Sequence, residues 1–173
     1  FFTKNITLES HTGRYNFLVR RLFSARAKLV VISEGLKKFY ESKNRDLDIL
    51  VAPDGIDLGA FAHPEPKEAA RSRLGLPQDK KIALYAGRLD GWKGIGTLLD
   101  ASKSLPRDIL VAIIGGEEDE VQKLRVQYPQ VTFLGARPYR ELSDNQAAAD
   151  ILVLPNTGKD LISSHYTSPM KLF

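Results

Sequence analysis

Short apolar runs alternate with helical segments in the second half of the chain, and this alternation restricts the fold more than any other feature. Four runs are predicted as strands, at 82–86, 109–114, 131–134 and 151–154. Helices are predicted between them, at 95–104, 119–128 and 141–149. Continuous apolar runs are typical of parallel strands that helices cover on both faces. With right-handed crossovers, the prediction is a doubly wound, Rossmann-like α/β sheet.

The first fifty residues resemble one end of a similar unit. Strands are predicted near 6–9, 29–32 and 49–51, and a helix at 16–27. Ser33 is a good N-cap for a second helix that would run to about Ser42. Composition then shifts to Gly, Pro and Asp. We therefore predict the end of one Rossmann-like domain at 1–52, a linker at 53–67 and an incomplete second Rossmann-like domain at 68–173.

The loop after the first strand of the second half combines glycines with two cations. It reads Ala-Gly-Arg-Leu-Asp-Gly-Trp-Lys-Gly from Ala86 to Gly94, with Arg88 and Lys93 five residues apart. Ligands of open parallel sheets bind beyond the carboxyl ends of the strands. Two cations beside a helix start suit a diphosphate. The alternative is a pair of solvated surface cations beside a turn.

Other strand ends add further candidates. Gly115 and Gly116 would let a ligand approach the backbone closely, and Glu117 follows them. Arg137 follows the third strand and could flank a flat heterocycle. Ser168 and Pro169 predict a new helix start after the fourth strand. We expect all these strand ends and the helix start to meet at one crevice.

Composition excludes several kinds of site. The chain has no cysteine, so disulfides and thiolate metal sites are excluded. His11, His63 and His165 are widely separated, and no metal site is expected. The net charge of +4 fits an anionic ligand, an anionic membrane surface or nucleic acid. In the Rossmann-like second half, however, aromatics do not interleave with a basic stripe, as nucleic-acid binding favours.

A basic helix near the start of the chain has two interpretations. Residues 14–28 combine several arginines with Phe17, Leu22 and Phe23. Such a helix could lie on an anionic membrane. Alternatively it packs on the sheet while its arginines extend to water. The longest apolar stretch, at 109–114, is too short to span a bilayer.

The order of these motifs resembles the family-four retaining glycosyltransferases of the GT-B fold, and the resemblance extends over essentially the whole chain. The matching segments are Val31-Ile32-Ser33-Glu34, the stretch from Val51 to Asp57, Ala86-Gly87-Arg88 with Lys93-Gly94, Ile114-Gly115-Gly116, Phe133-Leu134-Gly135 and the stretch from Ser168 to Phe173.

The resemblance implies roles for these residues. Arg88 and Lys93 would bind the diphosphate of a nucleotide-sugar donor and act in catalysis, and Arg137 would lie at the nucleobase. His11 would be catalytic, facing the donor sugar. The remaining donor-binding candidates are backbone and helix-start positions: Gly87, Gly115, Gly116, Glu117, Ser168, Pro169, Met170 and Lys171.

The implied activity is transfer of a sugar from a nucleotide-diphosphate sugar to a saccharide, lipid or small-molecule acceptor, with retention and without a metal or other cofactor. The implied location is the cytoplasm, with possible contact to the inner face of a membrane. Tyr166 stands where the family usually has a glutamate. Position 1 is not Met and the last helix stops at Phe173, so we expect a fragment that is inactive alone. A nucleotide-sugar epimerase and a non-catalytic nucleotide-binding module are the alternatives.

Overall fold

The computed structural model describes residues 6–24 and 27–167, in which strands form two parallel sheets. The strands are β1 (Thr7–Ser10), β2 (Lys28–Val31), β3 (Ile49–Val51), β4 (Lys81–Ala86), β5 (Ile109–Ile114), β6 (Thr132–Gly135) and β7 (Ile151–Leu152). The α-helices are α1 (Phe17–Ser24), α2 (Glu34–Glu41), α3 (Lys67–Leu74), α4 (Ile95–Ala101), α5 (Glu118–Gln127), α6 (Leu142–Ala147) and α7 (Leu161–His165). None of these described helices is long and apolar enough to cross a membrane.

The chain divides into two units. The second unit runs from Asp57 to Asn156, and the first contains the residues on either side of it. The predicted linker ended at 67 and the predicted second domain at 173, so these limits differ. Residues 57–67 group with the second unit, where the backbone N–H of Glu65 donates to Asp144 Oδ1 at 2.9 Å. Of the described residues, 157–167 group with the first unit.

The second unit contains the predicted parallel sheet, with strand order β6-β5-β4-β7. All neighbours are parallel, and β4 and β5 pair along their whole lengths, from Lys81 opposite Ile109 to Ala86 opposite Ile114. The α/β prediction is therefore confirmed.

Separate apolar cores cover the two faces of this sheet, because successive side chains of a strand point to opposite faces. One core joins β4, β5 and β6 to α4 and α5, through Tyr85, Leu98, Leu99, Val111, Ile113, Val121 and Phe133. The other joins the same sheet to α3 and α6, through Ala70, Leu74, Ile82, Leu84, Ala112, Ile114 and Ala148. Burial on both faces explains why β4 and β5 are continuous apolar runs in the sequence.

The fourth strand is shorter and more exposed than predicted. The sequence favoured a strand at 151–154, but β7 comprises only Ile151 and Leu152, and both side chains are exposed. It pairs with β4 through just two residues and lies at the edge of the described sheet. An apolar run of four residues does not by itself distinguish an edge strand from a central one.

Arg71 and Asp150 join the elements at the amino end of this sheet. Arg71 is buried and donates to Asp150 Oδ2 at 2.7 Å and to the Ala148 carbonyl at 2.9 Å. Asp150 also accepts the backbone N–H of Ile82 at 2.7 Å and pairs with Lys67 at 3.0 Å. These hydrogen bonds, led by that from Ile82, hold the pKa of Asp150 well below its usual range.

The first unit contains a parallel sheet of order β1-β2-β3. Ser33 caps α2 as predicted, since its Oγ accepts the backbone N–H of Leu36 at 3.2 Å. The Ser33 hydroxyl also donates to the His165 carbonyl of α7 at 2.7 Å. The Tyr166 ring packs edge-on against Phe39, with ring centroids 5.9 Å apart. Helix α7 and Tyr166 thus pack on α2.

Candidate functional site

The carboxyl ends of the strands in the second unit meet at one edge, as predicted. The backbone N–H of Gly87, after β4, donates to the Ile114 carbonyl at 2.9 Å. The N–H of Gly115, after β5, donates to the Gly135 carbonyl at 2.8 Å. On the other side, Val153 donates to the Leu84 carbonyl at 2.8 Å, so the strand leading to Pro155 ends at the same edge. This is the edge at which open parallel sheets bind ligands.

Two glycines at this edge lie in close contact with neighbouring backbone. Gly94 has φ +74°, and a Cβ built there would lie 1.9 Å from the Pro155 carbonyl oxygen. Gly115 has φ +122°, and its Cβ would lie 2.0 Å from the Gly87 oxygen. Any other residue would meet both a strained backbone and a steric clash with a neighbouring backbone. Gly115 therefore lets the ends of β4 and β5 approach closely, and Gly94 lets the start of α4 approach the segment after β7.

Tyr85 holds the start of the loop that carries Arg88 and Lys93. Its ring is buried in the core, and its hydroxyl donates to the Arg88 carbonyl at 2.6 Å. Burial, together with the nearby Asp90 charge, raises the pKa of Tyr85 to about 12. The loop then forms a 3₁₀ turn at Gly91–Lys93. The Lys93 N–H donates to the Asp90 carbonyl at 2.9 Å.

The two cations of the loop differ in their surroundings. The Lys93 side chain is only 17% exposed, and its Nζ lies 5.1 Å from the centroid of the Trp92 ring. Burial, with a smaller contribution from the Arg88 charge, lowers the pKa of Lys93, while Asp90 opposes this shift. The Arg88 side chain is 81% exposed. Lys93 is therefore much more shielded from water than Arg88.

Asp90 lies between these cations. Its Oδ1 accepts from Arg88 at 3.3 Å, and its Oδ2 lies 3.9 Å from Lys93 Nζ. No sequence motif marked Asp90, Trp92 or Tyr85 as a site residue. The available signal was that Asp90 and Trp92 stand between two cations in one loop, where side chains are close enough to interact. Tyr85 gave no such signal, because its sequence position indicates only a strand core.

The other predicted donor-binding residues of the second unit lie near the same edge. Glu117 is exposed and immediately precedes α5, after Gly116. Arg137 is exposed and follows β6. The predicted helix start from Ser168 to Lys171 lies outside the described residues. The roles of all these residues stay predictions.

His11 belongs to the first unit, in the loop after β1. Its Nε2 donates to Glu9 Oε1 at 2.8 Å, and its Nδ1 lies 3.8 Å from Asp54 Oδ1. The hydroxyl of the buried Tyr40 lies 2.9 Å from the Thr12 carbonyl and orders this loop. Its predicted position opposite a donor sugar stays a prediction.

No group of three or more His, Cys, Asp or Glu that could hold a metal ion occurs within the described ranges. Among the described residues, the charged side chains near this edge of the second unit include the cations of Arg88, Lys93 and Arg137 and the carboxylates of Asp90 and Glu117. Such a set can bind an anion and can stabilise negative charge that develops on it.

Comparison with known proteins agrees with this architecture. The sequence model of the family described as "Glycosyl transferases group 1" matches residues 66–158, which include β4 to β7. A D-inositol 3-phosphate glycosyltransferase of Xylanimonas cellulosilytica is 32% identical over 139 residues, covering 72% of this chain and 33% of that protein. The chain thus spans about a third of the length of such curated relatives.

Solved structures with the GT-B fold are similar to the chain. Sucrose-phosphate synthase from Thermosynechococcus elongatus is 26% identical, with a TM-score of 0.61 over 80% of this chain and 37% of that one. Anabaena Alr3699/HepE, solved in complex with UDP, is 22% identical, with a TM-score of 0.66 over 88% of this chain and 47% of that one. The structural similarity extends the match beyond residues 66–158.

Proposed function

The chain belongs to the glycosyl transferases group 1 family, and from this premise we propose that its second unit binds a nucleoside-diphosphate sugar as the donor for sugar transfer. One observation carries the proposal. Arg88 and the largely buried Lys93 follow the central strand β4 at the carboxyl edge of a parallel sheet. The UDP complex of Anabaena Alr3699/HepE supports the choice of a nucleoside diphosphate.

The two cations suit the chemistry of sugar transfer. The bond between the anomeric carbon and a phosphate oxygen breaks, and its electron pair stays on the diphosphate. The oxygen of the acceptor hydroxyl forms the new bond to that carbon, and its proton passes to the leaving diphosphate or to water. Negative charge therefore grows on the leaving diphosphate in the transition state. Cations held next to that position stabilise the transition state more than the bound donor. In this proposal Arg88 and Lys93 supply the charge and no metal ion takes part.

Other predicted residues would complete the donor site. Glu117 and Arg137 would contact the donor from the ends of β5 and β6, with Arg137 at the base. The amides from Ser168 to Lys171 would receive the phosphates. Retention of configuration and the role of His11 rest on the resemblance to the family-four retaining enzymes.

A panel of ligands tests the donor proposal. In a thermal-shift assay with UDP, GDP, ADP and the corresponding nucleotide sugars, the ligands that carry one particular base should raise the melting temperature. A ligand that binds only the folded state stabilises that state. The matching free nucleoside should give a much smaller shift. A uniform absence of shifts at millimolar concentrations would contradict donor binding. Release of nucleoside diphosphate from the nucleotide sugar only when an acceptor is added would distinguish a transferase from an epimerase or a binding module.

Helix α1 supports a proposal of peripheral contact with an anionic membrane. Phe17 and Leu18 are exposed on α1, and Arg14, Arg20 and Arg21 are exposed around them. Apolar side chains flanked by arginines suit a surface of anionic lipid. Sedimentation with vesicles containing phosphatidylglycerol should pull down the parent chain and not the double substitution Phe17→Ser with Leu18→Ser. Equal sedimentation of both proteins, or none of the parent, would overturn membrane contact.

A further inference from the structure

Asp90 has an unusual environment for an acidic residue that precedes a helical turn. An aspartate at this position commonly accepts a backbone N–H of the turn. Asp90 makes no such side-chain cap to the 3₁₀ turn that follows it. Its two carboxylate oxygens instead lie near Arg88 and Lys93, at 3.3 and 3.9 Å. The carboxylate is thus oriented toward the cations that the proposed ligand would need.

Asp90 is also partly shielded from water, with 29% of its side chain exposed. Charges that are partly buried interact more strongly than charges on the open surface, and salt screens them less. An anion that binds Arg88 and Lys93 therefore replaces Asp90 as their partner while it remains close to the Asp90 charge. The resulting repulsion is proportional to the charge of the anion.

The substrate and the product of sugar transfer differ in that charge. A diphosphate that is esterified at both ends carries one negative charge on each phosphorus. A free terminal phosphate loses a further proton with a pKa of about 6, so the released nucleoside diphosphate carries about one more negative charge at pH 8. A fixed carboxylate beside the site therefore disfavours the product more than the donor.

Building on the proposed function, we propose that Asp90 is a positioning residue that competes with the ligand for Arg88 and Lys93 and weakens binding of the nucleoside-diphosphate product more than that of the donor. Asp90 holds both cations near the strand end when no ligand is bound. It then favours product release after transfer. The opposite role, in which Asp90 only orders the cations for ligand binding, predicts weaker binding of both ligands when its charge is removed.

Calorimetry at pH 8 on Asp90→Asn and the parent chain distinguishes these roles. The probes are UDP and UDP-glucose, or the corresponding GDP or ADP pair if another base binds. Asparagine has nearly the same shape as aspartate but carries no charge. We expect about threefold to tenfold tighter binding of the diphosphate, and a gain for the sugar ester at least twofold smaller. Asp79→Asn, which removes an exposed charge from the opposite end of β4, should change neither affinity.

A measurement without ligand separates failure of this inference from failure of the donor proposal. NMR titration of the Lys93 side chain should give a lower pKa in Asp90→Asn than in the parent, because the carboxylate favours the charged lysine. Equal or weaker product binding in Asp90→Asn, or equal gains for both ligands, would overturn the competing role of Asp90. If neither ligand binds the parent although the Lys93 titration shifts, the donor proposal fails and the release role fails with it.

Discussion

At the scale of single residues, Lys93 distinguishes the candidate site from an ordinary surface loop. Its side chain is largely buried beside Trp92, and burial lowers its pKa below the ordinary value of 10.5. Arg88, in contrast, remains exposed. A ligand bound through Lys93 should therefore respond to alkaline conditions.

This difference predicts the pH dependence of ligand binding. As pH rises through the lowered pKa, Lys93 becomes neutral earlier than a solvated lysine would, and the affinity for nucleoside diphosphate should fall before pH 10.5 is reached. The substitution Lys93→Arg keeps its charge throughout and should flatten this decline. Binding measured from pH 7 to pH 10.5 tests the prediction. Parallel profiles for the parent and Lys93→Arg would show that Lys93 does not bind the anion.

At the scale of elements, the close approach of strand ends depends on glycine. Replacing Gly94 by Ala introduces a Cβ 1.9 Å from the Pro155 oxygen at a positive φ. We expect a loss of about 2 kcal/mol or more in the free energy of unfolding, from backbone strain and the clash together.

Gly96 provides a matched control in the adjacent helix. A Cβ at Gly96 has nothing within 4 Å, and this glycine lies in α4. Gly96→Ala should therefore stabilise the protein by about 0.5–1 kcal/mol, because glycine is a poor helix former. Urea denaturation measures both variants. Similar effects of the two substitutions would contradict the described packing of Gly94 against Pro155.

Some elements of the fold could be predicted from the sequence and others could not. The runs of β4 and β5, with glycines after them, predicted the parallel sheet and its edge, because burial on two faces leaves a local pattern of continuous apolar residues. The exposure of β7 was not predictable, since it depends on which strands pair. The pairing of Arg71 with Asp150 could not be predicted from the sequence either, because 78 residues lie between them and neither residue belongs to a local motif.

At the scale of the whole molecule, the Arg71–Asp150 pair joins α3 and the strands β4 and β7 within the second unit. Arg71→Ala would leave the Asp150 carboxylate partly shielded from water and would remove several hydrogen bonds to carbonyl groups. We expect a loss of about 3–5 kcal/mol in the free energy of unfolding. Lys67→Ala removes only the more exposed partner of Asp150 and should cost about 1 kcal/mol or less. Equal losses for the two variants in urea denaturation would contradict the described role of Arg71.

The same pair predicts how stability depends on acid. Asp150 has a lowered pKa in the folded protein. Its stabilising contribution is therefore complete above the unfolded pKa of about 3.9 and is lost as pH falls through the folded pKa. Asp150→Asn should be less stable than the parent at pH 6, and the difference should shrink below about pH 4. A constant difference between pH 2 and pH 6 in urea denaturation would contradict the assignment.

Family membership is established for the chain, whereas its activity as a transferase is proposed from the site. The curated relative from Xylanimonas cellulosilytica is about three times as long as the region that this chain matches. Donor binding, which we propose for the second unit, can be measured on this chain.

Calorimetry of Lys93→Ala with a nucleoside diphosphate and with the matching free nucleoside shows whether Lys93 binds a diphosphate at this sheet edge. Lys81→Ala, at the exposed amino end of β4, is the control for loss of a lysine charge. Loss of a charge-assisted contact worth about 1.5–3 kcal/mol should weaken the diphosphate about 10- to 100-fold in Lys93→Ala. The nucleoside should bind the same in all three proteins. Equal diphosphate affinities in the parent, Lys93→Ala and Lys81→Ala would contradict a diphosphate site at this sheet edge.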